Sequence, residues 1–114
     1  MLTYALIIFA IAAVGGLVLA SKILMGQQPP WLVSIIHALL GAAGLVMLLM
    51  VLLEGNGTSR LTAAFALLVI AALGGFYLAS VHLKKKLPSK AIVGVHAGVA
   101  VLGFLTLASI VFEL

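Results

Sequence analysis

Four apolar stretches, at about residues 3–24, 31–53, 61–83 and 89–112, occupy almost the whole of this 114-residue chain. Each reaches the roughly 20 residues that a helix needs to cross the hydrocarbon core of a bilayer. Backbone polar groups in lipid must be satisfied within the protein, which restricts spanning segments to helices or closed barrels. Uninterrupted runs of this length specify helices. Gly26-Gln27-Gln28-Pro29-Pro30 closes the first pair of helices, Glu54-Gly55-Asn56-Gly57-Thr58-Ser59 separates the second and third, and residues 84–88 close the last pair. Gly, Pro and Asn supply the turn chemistry in these segments. The expectation is an all-α integral membrane bundle of four helices, up-down-up-down, forming a single transmembrane domain over residues 1–114.

Only 7% of residues are charged and 66% are hydrophobic, whereas a soluble domain carries charge on about a quarter of its residues. So little chain lies outside the spans that no separate catalytic or nucleic-acid-reading domain is expected, and the lipid bilayer is the first partner. The first stretch is read as structure and not as a cleaved signal. No Lys or Arg precedes it, and its apolar run exceeds a signal core. Cysteine is absent, which removes disulfides and thiolate ligands.

Residues 1–55 and 60–114 repeat one another. Laid at an offset of 59 without a gap, they match at 18 of 55 positions. The diagnostic matches are not leucines. Ile11-Ala12-Ala13 and Gly15-Gly16 fall on Ile70-Ala71-Ala72 and Gly74-Gly75, Pro29 on Pro88, His37-Ala38 on His96-Ala97, Gly44 on Gly103 and Glu54 on Glu113. A fixed-period match of this kind marks a duplicated structural unit. Here the unit is a helical hairpin, and two hairpins in direct repeat place spans two and four on a diagonal of the bundle.

Lys22, Lys84, Lys85, Lys86 and Lys90 flank the two intra-hairpin turns, while Arg60, Glu54 and Glu113 lie at the opposite end. The positive-inside rule then puts the lysine-rich turns in the cytoplasm and both termini outside, in the inner (plasma) membrane of a cell. The run from Lys84 to Lys86 is read as a topology signal in contact with lipid headgroups. The alternative is a docking patch for an acidic partner.

An imidazole in a bilayer costs free energy without a partner, so His37 and His96 are functional candidates. Both lie roughly 10 Å from the lysine-rich ends of their helices at 1.5 Å per residue. Zinc, copper or non-haem iron typically needs more protein ligands than two imidazoles; the two glutamates sit at the far end, and aspartate and cysteine are absent. A haem iron takes two axial imidazoles and no other protein ligand. Gly15, Gly16, Gly74 and Gly75 fall at the same depth, while Gly41, Gly44 and Gly103 follow the histidines at i+4 or i+7 and are expected on their faces. Small residues are also the ordinary means of close helix packing in membranes.

This combination of His37 and His96 on spans two and four, with glycines on spans one and three, resembles the membrane-embedded b-type cytochromes. The resemblance implies one b-type haem with His37 and His96 as metal ligands. Members that move electrons across the bilayer usually hold two haems, and this chain has a single core histidine pair. The expected function is electron relay, with a larger membrane redox complex or a second copy of the chain as partner. No nucleic acid is expected. His82, whose repeat counterpart is Ile23, is read as an interfacial residue at a helix C-terminus; its functional alternative is a hydrogen bond to a haem propionate or a quinone. Trp31 and Tyr4 are read as interfacial anchors, and Tyr77 as lining the bundle. The rival expectations are a cofactor-free structural or assembly subunit, whose histidines hydrogen-bond between helices, and a small transporter.

Overall fold

A computed structural model describes residues 1–114. It contains four helices, α1 (Leu2–Leu24), α2 (Trp31–Leu53), α3 (Ser59–Leu83) and α4 (Lys90–Val111), and no strand. Each is long and apolar enough to cross a membrane, and the chain is a multi-pass membrane protein. The bundle measures 43 Å along its long axis, close to the roughly 40–45 Å of a bilayer with its headgroup regions.

Helix ends follow from local chemistry. Thr58 caps α3 by accepting from the Leu61 N–H at 3.1 Å, and Ser89 caps α4 by accepting from the Ile92 N–H at 3.2 Å. Pro30, with no N–H to satisfy, stands at the N-cap of α2. The ends of α1 and α3 are the same motif repeated. Gly26 N–H donates to Ile23 O and Gln27 N–H to Lys22 O, while Lys85 N–H donates to His82 O and Lys86 N–H to Val81 O. These paired bonds form a Schellman closure, which needs a left-handed residue just past the helix. Gly26 fills that position at φ 75°, whereas in the second hairpin it is Lys85 at φ 56°.

α1 packs on α2 and α3 on α4 within the hairpins. The hairpins then meet along α1–α4 and α2–α3, which leaves α2 opposite α4 and α1 opposite α3 across the bundle. Only 16 of 114 residues are buried, and large apolar side chains such as Leu17, Leu32, Leu39, Leu73 and Phe76 stand outward. Such a surface is stable only in an apolar solvent. Within lipid, helix association rests on close packing and interhelical hydrogen bonds, with little hydrophobic drive.

The closely packed core is confined to one end. Ala5, Leu6, Phe9, Leu48, Val51, Leu61, Ala64, Leu68 and Leu107 form one cluster, and all nine lie in the terminal half, near Glu54, Arg60 and both chain ends. Gly44 is buried beneath the ring of Phe9, and Gly103 beneath Leu68. Phe9 and Leu68 are counterparts at the repeat offset, as are the two glycines. Gly44 and Gly103 thus pack on the same neighbouring helices as His37 and His96, α1 and α3, where the large side chains of Phe9 and Leu68 close over them. Toward the lysine-rich end packing is looser, and Leu19, Ala20, Leu40, Leu78, Val99 and Ala100 are only half-buried.

Candidate functional site

His37 projects from the second turn of α2 onto α1, where its Nδ1 lies 2.7 Å from the carbonyl oxygen of Ala12. In the second hairpin His96 on α4 repeats the contact with Ala71 of α3, also at 2.7 Å. A backbone carbonyl can only accept, so Nδ1 carries the proton in both rings and donates it. Ala12 lies four residues before Gly16, and Ala71 four before Gly75. Each carbonyl therefore serves the helix ladder with one lone pair and the imidazole with the other.

The glycine pairs make this bond possible. A Cβ on Gly16 would stand 3.0 Å from Cε1 of His37, and one on Gly15 would be 3.6 Å from its Cβ. The corresponding distances to His96 are 3.3 Å from Gly75 and 3.8 Å from Gly74. Each ring thus lies against bare backbone of its partner helix, close enough to reach the carbonyl one turn earlier. The four glycines contact the histidines directly, and their first effect is to seat the imidazoles. Gly41 has open space around its Cα.

With Nδ1 fixed as donor, Nε2 of each ring keeps an in-plane lone pair. No protein group hydrogen-bonds to it, and it is not sealed from its surroundings. Across the diagonal the two ring centroids lie 6.4 Å apart in an edge-type arrangement, with planes inclined by 78°. A metal–imidazole nitrogen bond is about 2.0 Å and a ring nitrogen stands about 1.15 Å from its centroid, so two imidazoles on opposite sides of one metal have centroids about 6.3 Å apart. The centroid spacing is compatible with that arrangement, while spacing and inclination are equally those of two rings in direct edge-to-face contact. A backbone carbonyl on the other nitrogen is the usual outer partner of a ligating histidine, fixing its tautomer and raising its basicity. No group of three or more His, Asp or Glu side chains is assembled anywhere in the bundle, which leaves the two imidazoles as the candidate donor set.

His82 does not reach this pair. It is 8% exposed, and its ring stacks on Trp31 at 3.6 Å between centroids with planes 2° apart. Both residues were expected at the interface as separate anchors. Their stack instead joins the end of α3 to the start of α2 and ties the hairpins together at the lysine-rich end. Trp31 is the only tryptophan, so its emission reports this contact. His82→Ala is expected to change Trp31 fluorescence intensity and to lower stability by about 1 kcal/mol, the scale of an aromatic pair; unchanged emission would mean that the stack is absent in solution. Tyr77, expected to line the bundle, is 52% exposed and stands on its outside.

Hydrogen bonds from the histidines to a neighbouring helix were among the expectations, but the carbonyls of Ala12 and Ala71 as acceptors and the Trp31–His82 stack were not anticipated. The first had a signal in the sequence, since Ala-x-x-Gly-Gly recurs intact beside each histidine. The second had none, because neither residue is repeated. No protein-family model, curated protein or solved structure matches the chain.

Proposed function

We propose that the chain is a small b-type cytochrome of the membrane, in which His37 and His96 are axial ligands to one haem. The observation that carries this reading is the matched pair of imidazoles, each held by a carbonyl on Nδ1 and set 6.4 Å from the other across the diagonal. When bound, the haem would supply a one-electron iron couple. The chain's own part is to hold both Nε2 lone pairs in place, to enrich them through the Nδ1 bonds, and to surround the group with apolar helices. Because the terminal half is filled by the Phe9, Leu48, Leu68 and Leu107 cluster, one haem near the lysine-rich end is the stoichiometry that fits. Electron relay to a larger membrane redox complex is the corresponding role. The lysine placement supports a cytoplasmic position for that end in a plasma membrane.

A second reading has a specific observation in its favour. The Nδ1–carbonyl bonds by themselves tie α1 to α2 and α3 to α4, as a cofactor-free structural subunit would require, at about 1 kcal/mol each. Spectroscopy of the chain purified from cells supplied with haem separates the two. The cytochrome reading expects a Soret band with sharp reduced α and β bands and one haem per chain. It further expects a low-spin ferric resonance. A colourless, folded protein would establish the structural reading instead.

A further inference from the structure

The lysine-rich end of the second hairpin carries a groove whose basic residues have no counterparts in the first hairpin. Its walls come from Tyr77 and Val81 of α3, Lys84 and Lys86 of the turn, and Ser89 and Ile92 at the start of α4. At the repeat offset, Lys84 and Lys86 correspond to Met25 and Gln27, and Val81 corresponds to Lys22. The duplication has therefore diverged so that only one turn combines two cations with an apolar wall. A topology signal does not require this, because lysine anywhere at that end would satisfy it.

The composition of the groove selects its occupant. The ammonium groups of Lys84 and Lys86 and the hydroxyls of Ser89 and Tyr77 suit a phosphate, while Val81 and Ile92 continue into the lipid-facing surface of α3 and α4. The groove stands at the end of the spans, at headgroup depth. A molecule with a phosphodiester at that level and acyl chains running along the helices is a phospholipid. Two cations without an acidic residue in the groove favour one of net negative charge. We infer that this groove is a specific site for one anionic phospholipid, bound through its phosphate by Lys84 and Lys86. The inference stands apart from haem binding.

The adjacent lysine provides the control. Lys85 belongs to the same turn but does not line the groove, and its left-handed backbone suits asparagine. Lys85→Asn therefore removes one charge from the same turn without loss of fold. Combined with Lys22→Ala in the first hairpin, it removes two charges from the lysine-rich end, as many as the groove variant loses.

The full chain is to be reconstituted in vesicles of equimolar phosphatidylglycerol and phosphatidylcholine, extracted in mild detergent, and examined by native mass spectrometry with far-UV circular dichroism as the check of fold. The expected result is one retained phosphatidylglycerol per chain. Retention should fall about tenfold or more in the folded Lys84→Ala/Lys86→Ala variant, and stay unchanged in the charge-matched Lys22→Ala/Lys85→Asn variant. Excess inorganic phosphate should leave the lipid in place. Equal retention of phosphatidylcholine, an equal loss in the control variant, or displacement by inorganic phosphate would each overturn the proposal: the first removes charge selectivity, the second the localised site, and the third the lipid as ligand.

Discussion

His37→Ala and His96→Ala are each expected to lose haem, with retained haem per chain falling by more than about tenfold, since even partners of metal ligands typically contribute 10–100-fold. The two variants should behave alike. The rings they remove have the same 2.7 Å carbonyl bond and the same glycine seat in both hairpins. Helical content should remain, because the interhelical bond lost is worth only about 1 kcal/mol in a membrane and the terminal core is untouched. Added imidazole should restore a low-spin spectrum to either variant by occupying the space that the side chain vacates. His82→Ala should keep the axial spectrum, as His82 is engaged with Trp31. If the variants differ from the parent only in stability, the histidines are packing residues and the cytochrome assignment fails.

The features of this fold that could be read in advance are those that hydropathy and turn chemistry encode along the chain. Span lengths gave the helices, Gly26 and Pro29 with the Asn56-Gly57 segment gave their ends, and the offset of 59 gave the duplication that sets α2 opposite α4. Rotation of each helix about its own axis was harder to read. A lipid-embedded helix that is apolar on every side carries no stripe to fix its inward face. Only sparse marks do so. The histidines were such marks and lie where the repeat indicated, and Gly44 and Gly103 lie toward the same helices as their histidines, beneath Phe9 and Leu68, but Tyr77 was assigned inward and faces out. Glycine in a membrane helix signals a close approach without stating whose. The Trp31–His82 stack was hidden for a related reason: it joins residues from different hairpins at positions where the two copies diverge, so the repeat could not point to it.

Glycine substitutions separate the two kinds of close approach, and Gly16→Ala is expected to have the largest effect on the site. The new Cβ would meet Cε1 of His37 at 3.0 Å, below ordinary van der Waals contact. The ring cannot withdraw freely, because Nδ1 is tied to Ala12 on the same helix. Relief must come from stretching that bond or from parting α1 and α2, and either displaces Nε2. The expected outcome is a loss of haem affinity of about tenfold, the lower end for a disturbed outer partner, with a blue-shifted or high-spin component as one ligand slackens. At Gly75 the same change meets His96 at 3.3 Å, and the loss should be smaller. Gly41→Ala meets nothing and should leave the spectrum unaltered, gaining up to about 1 kcal/mol of helix propensity. Gly44→Ala drives a Cβ to 2.5 Å from Cζ of Phe9, in a core with no slack. It should destabilise the terminal half by about 1–3 kcal/mol while the haem spectrum of the folded fraction stays the same. The order Gly16, Gly75, Gly41 in haem affinity, with Gly44 changing stability alone, is a pattern that uniform loosening of the bundle cannot produce. Equal spectral effects at Gly16 and Gly44 would show that the glycines act only through overall packing.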